Sequence, residues 1–171
     1  MESSEERSLR WGQGRDRLFL ALRGKPVDEK LRAYRALERQ YVKEARSQFE
    51  RVEIQRRFTE DYLYLMVTSK APWPTFARYL RRMKKLGFTT MDRRLLVCVL
   101  SAEAARGSPA GLRDVQTQID DIVSRSRRRR DRSATSEEID RAISRARKIA
   151  GLSESPPAPR SSRHSTRSRR R

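Results

Sequence analysis

Two stretches of this sequence are dense enough in one residue type for a definite chemistry, the neutralisation of phosphate. Residues 124–132, SRSRRRRDR, hold Arg125, Arg127, Arg128, Arg129, Arg130 and Arg132 against a single acid, Asp131. The last stretch, RSSRHSTRSRRR (160–171), holds Arg160, Arg163, Arg167, Arg169, Arg170 and Arg171, and no acid. Segments 124–132 and 153–171 each net +5, so ten of the nineteen excess positive charges lie in two short pieces. Like charges packed this densely repel one another unless a polyanion takes them up. Guanidinium groups bind phosphate by releasing counterions, a term that does not depend on base sequence. Neither Arg segment contains an aromatic residue, which favours phosphate contacts over base stacking. A flexible tail of this kind suits RNA, which offers no single rigid groove. Ser155, Ser161, Ser162 and Ser168 stand beside Pro or Arg, Ser165 lies two residues from Arg163 and Arg167, and all five are candidate phosphorylation sites. Each phosphate adds about −1.5 to −2, so roughly three would cancel the charge of the tail.

Other chemistry finds little to work with. The only histidine, His164, lies in the tail, so no histidine-based triad or metal site can form in a core. GQG (12–14) has no third glycine, and RGKPVDEK (23–30) lacks the upstream glycine of a phosphate loop. The carboxylates of Glu60-Asp61 and Asp120-Asp121 are adjacent, so on a helix they diverge and read as solvated. The expectation is a chain with no catalytic constellation, no metal and no cofactor. Cys98 sits in the apolar run LLVCVL and reads as a buried free thiol, with an intermolecular disulfide as the other use.

The elements that must carry these segments are helical almost throughout. Leu9, Trp11, Leu18, Phe19 and Leu22 mark a helix over 7–22, broken by GKP (24–26). Pro26, Asp28 and Glu29 open the next, whose stripe runs Leu31, Tyr34, Leu37, Tyr41, Ala45, Phe49 and Val52. Ile54, Phe58, Tyr62, Leu65 and Met66 extend it. Residues 28–69 contain no Gly or Pro and form one long helix, or two with a bend near 48–53. APWP (71–74) ends that run, and Phe76, Tyr79, Leu80, Met83 and Leu86 share one face of a helix beginning at Thr75. The two make an antiparallel hairpin. Thr89-Thr90-Met91-Asp92 re-caps the chain for a helix ending at Gly107, and Ser108-Pro109 starts another with the stripe Leu112, Val115, Ile119, Ile122 and Val123. Thr135 and Glu138 have capping-box spacing before the stripe Ile139, Ala142, Ile143, Ala146 and Ile149, and Gly151 terminates it. That stripe needs a surface to lie on. The fold class is all-α with a disordered Arg/Ser-rich tail. Its parts are a helical domain over 1–123, an Arg-rich segment with an amphipathic helix over 124–152, and a basic tail over 153–171.

The longest apolar runs, YLYLMV (62–67) and LLVCVL, have six residues each, far short of the ~18–20 of a membrane span. The opening MESSEER is acidic and has no signal-peptide apolar segment. In YLYLMV the apolar residues point all round a helix, more than one partner helix covers. Two hairpins from two chains would cover it as a four-helix bundle, with Phe58, Tyr62, Leu65, Met66, Phe76, Tyr79, Leu80 and Met83 at the dimer interface. Burial within the chain against 7–22 and 28–50 is the alternative.

The order of elements resembles that of the core (capsid) proteins of hepadnaviruses, with the smaller nackednavirus proteins closer in size. The local likeness lies in TFARYLRRMKKLGFTTMDRRLLVCVLSAEAARGSPAGLRDVQTQIDDIV (75–123). Arg93, Arg94, Leu95, Leu96 and Cys98 stand where that family has an R-x-L-L-W…C stretch, and Gly107 stands in the following turn. Residues 53–69 resemble the family's third helix, APWP its spike tip, and the tail its Arg/Ser region. The family's fifth helix carries aromatic residues for contacts between dimers; here Val115, Ile119 and Ile122 occupy it. The resemblance implies a homodimer with a hairpin spike and assembly into an icosahedral shell. That shell would hold viral RNA and reverse-transcribed DNA, and the protein would be found in the virion and in the host cytoplasm or nucleus. A non-assembling nucleic-acid-binding adaptor, or a ribonucleoprotein subunit docked through 139–149, fits the basic helical composition as well.

Overall fold

A computed structural model describes residues 2–88, 91–128 and 136–152. Among them are seven helices and no strand: α1 (Ser4–Ala21), α2 (Val27–Glu44), α3 (Gln48–Thr68), α4 (Trp73–Leu86), α5 (Met91–Ala104), α6 (Pro109–Arg128) and α7 (Ser136–Ala150).

α1 starts earlier than its apolar spacing implies because a capping box sits in front of it. The Ser3 hydroxyl accepts from the Glu6 amide at 3.1 Å, and the Ser3 amide donates to the Glu6 carboxylate at 2.7 Å. The glycine-free run 28–69 is two helices, and they part at 45–47, just ahead of the expected bend. Ala45 is extended, and Ser47 caps α3 by accepting from the Glu50 amide at 3.1 Å. The Glu50 carboxylate in turn accepts from the Arg46 amide at 2.7 Å. A polar cap breaks the helix where neither Gly nor Pro is present.

α3 ends in a Schellman motif, with the Ala71 amide donating to Met66 O at 2.9 Å and the Lys70 amide to Val67 O at 3.0 Å. Its left-handed residue is Lys70, φ 54°. Pro72 and Pro74 then launch α4, which returns antiparallel to α3; Tyr62 meets Tyr79 with ring centroids 5.1 Å apart, and Arg56 donates to Leu86 O. The expected hairpin is therefore present.

The core has two clusters. The first joins α1–α4 with one side of α5, around Phe58, Tyr62, Leu63, Phe76, Leu80 and Met83. The second joins the other side of α5 to α6 and α7 through Leu95, Cys98, Val115, Ile119, Ile143 and Ala146. Trp73, stacked on Phe76, packs against both. α7 thus lies on α5 and α6, which answers what its stripe rests on, and Gly151 (φ 69°) ends it as expected. The division at 123 falls inside α6, and α7 belongs to the same packed unit as α5.

The residues expected at the dimer and inter-dimer interfaces all pack inside the single chain. Phe58, Tyr62, Leu65, Met66, Phe76, Tyr79, Leu80 and Met83 are all buried within one chain, because α2 and α5 cover what α4 leaves open on α3. Val115, Ile119 and Ile122 face α5 and α7 rather than solvent. All eleven side chains are buried in the single chain.

Candidate nucleic-acid interface

Of the arginines in the two basic segments, the structure describes the side chain of Arg125 alone. It lies on the last turns of α6, exposed, donating to Asp121 at 2.8 Å. The backbone of Arg127 and Arg128 completes α6. Arg129, Arg130, Arg132, Arg160, Arg163, Arg167, Arg169, Arg170 and Arg171 lie outside the described residues, as do Ser155, Ser161, Ser162, Ser165, Ser168, His164 and Thr135.

Inside the fold, charge is handled on two unlike sides. On one side α1, α3 and α5 hold several of their charges in pairs. Arg7 meets Glu50 at 2.6 Å with both side chains buried, and Arg15 grips Asp61 through two bonds of 2.8 Å while lying over the Phe58 ring. Arg93 bridges Glu53, at 3.0 Å, and Glu60. Hydrogen bonds from Arg7 and from the Arg46 amide hold the Glu50 carboxyl down at about 2. Burial pushes the Glu60 carboxyl the other way, above its ordinary value. Between these pairs Phe19 and Tyr64 touch (centroids 6.5 Å) and stay half exposed, and Leu96 is exposed on α5.

The other side is formed by α2 and α4. α4 carries Arg78, Arg81, Arg82, Lys84 and Lys85 and no acid. Lys84 reaches Asp114 of α6, and Arg82 pairs with Glu38 of α2. Glu38 is buried and accepts from the Tyr62 hydroxyl at 2.7 Å; burial, with that carboxylate beside it, pushes the phenol far above its usual range. Arg35 donates to the Tyr79 hydroxyl at 2.9 Å. Arg35–Tyr79 and Glu38–Arg82 are each 44 residues apart in sequence, so α2 and α4 run side by side in one direction. Arg32, Arg39, Arg78, Arg81 and Lys85 are exposed, and none has an ion pair among the described residues.

In the basic segments the charges are consecutive or nearly so. The cations of α2 and α4 are interleaved with core residues, and only helical spacing reveals them: 32, 35 and 39 share one face, as do 78, 82 and 85. The absence of any acid in WPTFARYLRRMKKL was the readable signal.

Among the described residues no cluster of three His, Cys, Asp or Glu could hold a metal ion, and no helix is long and apolar enough to cross a membrane. Cys98 is buried in the second cluster, and burial pushes its thiol up to about 12. Comparison with protein-family models, with curated proteins and with solved structures finds no match to this chain.

Proposed function

We propose that this chain is a shell-forming viral capsid subunit of the hepadnavirus-like kind that packages RNA through its Arg-rich segments. The observation that carries the proposal is the partition of charge. A helical fold whose buried acids are already matched carries two segments of six arginines and one acid each, +5 net apiece. One +5 tail binds a polyanion weakly, whereas many copies on an inner surface would form a dense cationic layer. The resemblance of residues 75–123 to capsid proteins adds the shell. Because the apolar face of the α3–α4 hairpin is covered within the chain, a second copy would meet the α1–α3–α5 side, where Phe19, Tyr64 and Leu96 are exposed. In the proposed cycle the subunit resides in the virion, and phosphorylation of the tail serines lowers its charge.

Negative-stain microscopy of the purified full chain, before and after nuclease, tests this. Uniform spheres with a nucleic-acid absorbance ratio are expected. A protein that stays small at every concentration and salt refutes the shell. Removal of residues after Ser153 should lower RNA content and leave oligomers intact.

A second reading, a non-assembling nucleic-acid-binding adaptor, is favoured by one observation, the burial of the hairpin's apolar residues within a single chain. It keeps the salt-sensitive RNA binding and lacks the particles.

A further inference from the structure

We infer that the α2–α4 face is a second RNA-backbone site, built into the fold and separate from the Arg-rich segments; this rests on the RNA-binding reading above. The parallel register of the two helices sets Arg32, Arg35 and Arg39 alongside Arg78, Arg82 and Lys85. Each row runs from its first cation to one seven positions on, about 10 Å at ~1.5 Å per residue. The result is a double rail of cations two turns long. The acids nearby are few. Glu38 lies in the floor, buried and already engaged by Arg82 and Tyr62, and Asp28 stands at one end beside Arg32. Of the two remaining α2 carboxylates, Glu29 is paired with Lys25, and Glu44 is taken up by Trp11 and Arg10 of α1.

The rail is also ordered. Arg35 is tied to the Tyr79 hydroxyl, and Arg82 is tied to Glu38 with its guanidinium 5.6 Å from the Tyr62 ring centre. Guanidinium groups fixed in this way lose less entropy when they meet a phosphate. A shallow groove lined by Asp28, Leu31, Arg32, Arg35 and Arg39 runs along the α2 side. No apolar anchor is exposed on this face; the large exposed apolar side chains lie on α1, α3 and α5. A surface with charge and no anchor suits a polyanionic backbone better than a protein partner, whose interface would need a dehydrated centre. With no exposed aromatic ring there to stack a base, contact is to phosphate and not sequence-specific.

The test is the salt dependence of single-stranded RNA binding by the full chain. Arg32→Gln, Arg39→Gln, Arg78→Gln and Lys85→Gln are combined, leaving the anchored Arg35 and Arg82 in place. The reference variant removes equal charge elsewhere on the fold, with Arg17→Gln, Arg23→Gln, Arg51→Gln and Arg113→Gln, all exposed. Four lost phosphate contacts should reduce the slope of log Kobs against log salt by about 2 to 3, at ~0.7 per contact on single strands. The reference should leave the slope near wild type. Equal reductions in both variants, or none in the α2–α4 variant, overturn the inference. So does loss of binding to phosphatidylserine vesicles with the RNA slope unmoved, which would assign the face to a membrane surface. Far-ultraviolet circular dichroism and Tm confirm that both variants are folded. Particle formation is scored separately: particles with an unmoved slope sink this inference alone, and a reduced slope without particles sinks the shell alone.

Discussion

Gly111 tests whether Trp73 is the wedge that joins the two halves of the core. A Cβ added at Gly111 would lie 2.9 Å from Trp73 Cδ2, 3.0 Å from Cε2 and 3.0 Å from the Ala105 methyl. Moving the indole has a cost, because it is stacked on Phe76 (centroids 5.4 Å, interplanar 26°) and packs against both clusters. Overpacking of this sort costs about 1–3 kcal/mol, and the better helix propensity of alanine returns at most ~1 kcal/mol. Gly111→Ala should therefore lose about 1 kcal/mol, or ~2–4 °C in Tm for a chain of this size. Gly12, inside α1, has nothing within 4 Å of its added Cβ. There the same substitution should raise stability by ~0.5–1 kcal/mol. Urea titrations of both variants are compared with Trp73→Leu and the Gly111→Ala/Trp73→Leu double variant. The smaller side chain makes room for the methyl, so the double variant should be more stable than additivity gives, by about 1 kcal/mol. If Gly111→Ala stabilises as Gly12→Ala does, or if the two losses simply add, the wedge argument is wrong.

Lys70→Gly should stabilise the hairpin tip by roughly 0.5–1 kcal/mol, since a left-handed lysine costs ~1–2 kcal/mol and glycine gives back part of that in chain entropy; a lower Tm would count against it. Cys98, buried with its thiol pushed up to about 12, should react with a thiol reagent at pH 8 only after denaturant is added. Rapid modification of the native protein contradicts the packing of α5 on α7. Glu50, held down at about 2, titrates lower in the fold than in the unfolded chain, where a glutamate has a pKa of ~4.3. Its contribution is complete above that value and is lost as pH falls toward about 2. The stability gap between wild type and Glu50→Gln should therefore close between about pH 4.5 and 2; a gap that stays constant over that range refutes the Arg7–Glu50 assignment.

The hairpin and the later helices were legible in the sequence because their signals are local. Two prolines around Trp73 mark the tip, and three-and-four spacing marks Phe76, Tyr79, Leu80 and Met83. The break at 45–47 was also local, yet it is written in a serine and a glutamate, Ser47 and Glu50, the same pair of residue types that starts α1 at Ser3 and Glu6. What apolar patterning could not say is which partner covers an apolar face. Tyr62, Leu65 and Met66 look the same in sequence whether a second chain or α2 and α5 bury them. The buried Glu38 decides part of this, since it sits on the polar edge of α2 only to meet Tyr62 and Arg82 from two other helices. Such a tertiary pairing leaves no mark in the spacing of any one helix.

A chain with a net charge of +19 repels itself, and the placement of its buried carboxylates offsets part of that. Glu38, Glu50, Glu53, Glu60 and Asp61 all lie on α2 and α3, the central helices, and each meets an arginine from α1, α4 or α5. Burying such pairs gains little net energy, but removing either partner leaves a stranded charge, so the pairs fix which helix crosses which. Arg32, Arg39, Arg78, Arg81 and Lys85 of α2 and α4 are left exposed, with no ion pair among the described residues. Exposed cations of this kind, in a chain of net charge +19, are what the proposed polyanion would neutralise. That is why salt dependence, more than affinity at one salt concentration, is the measurement on which the functional reading turns.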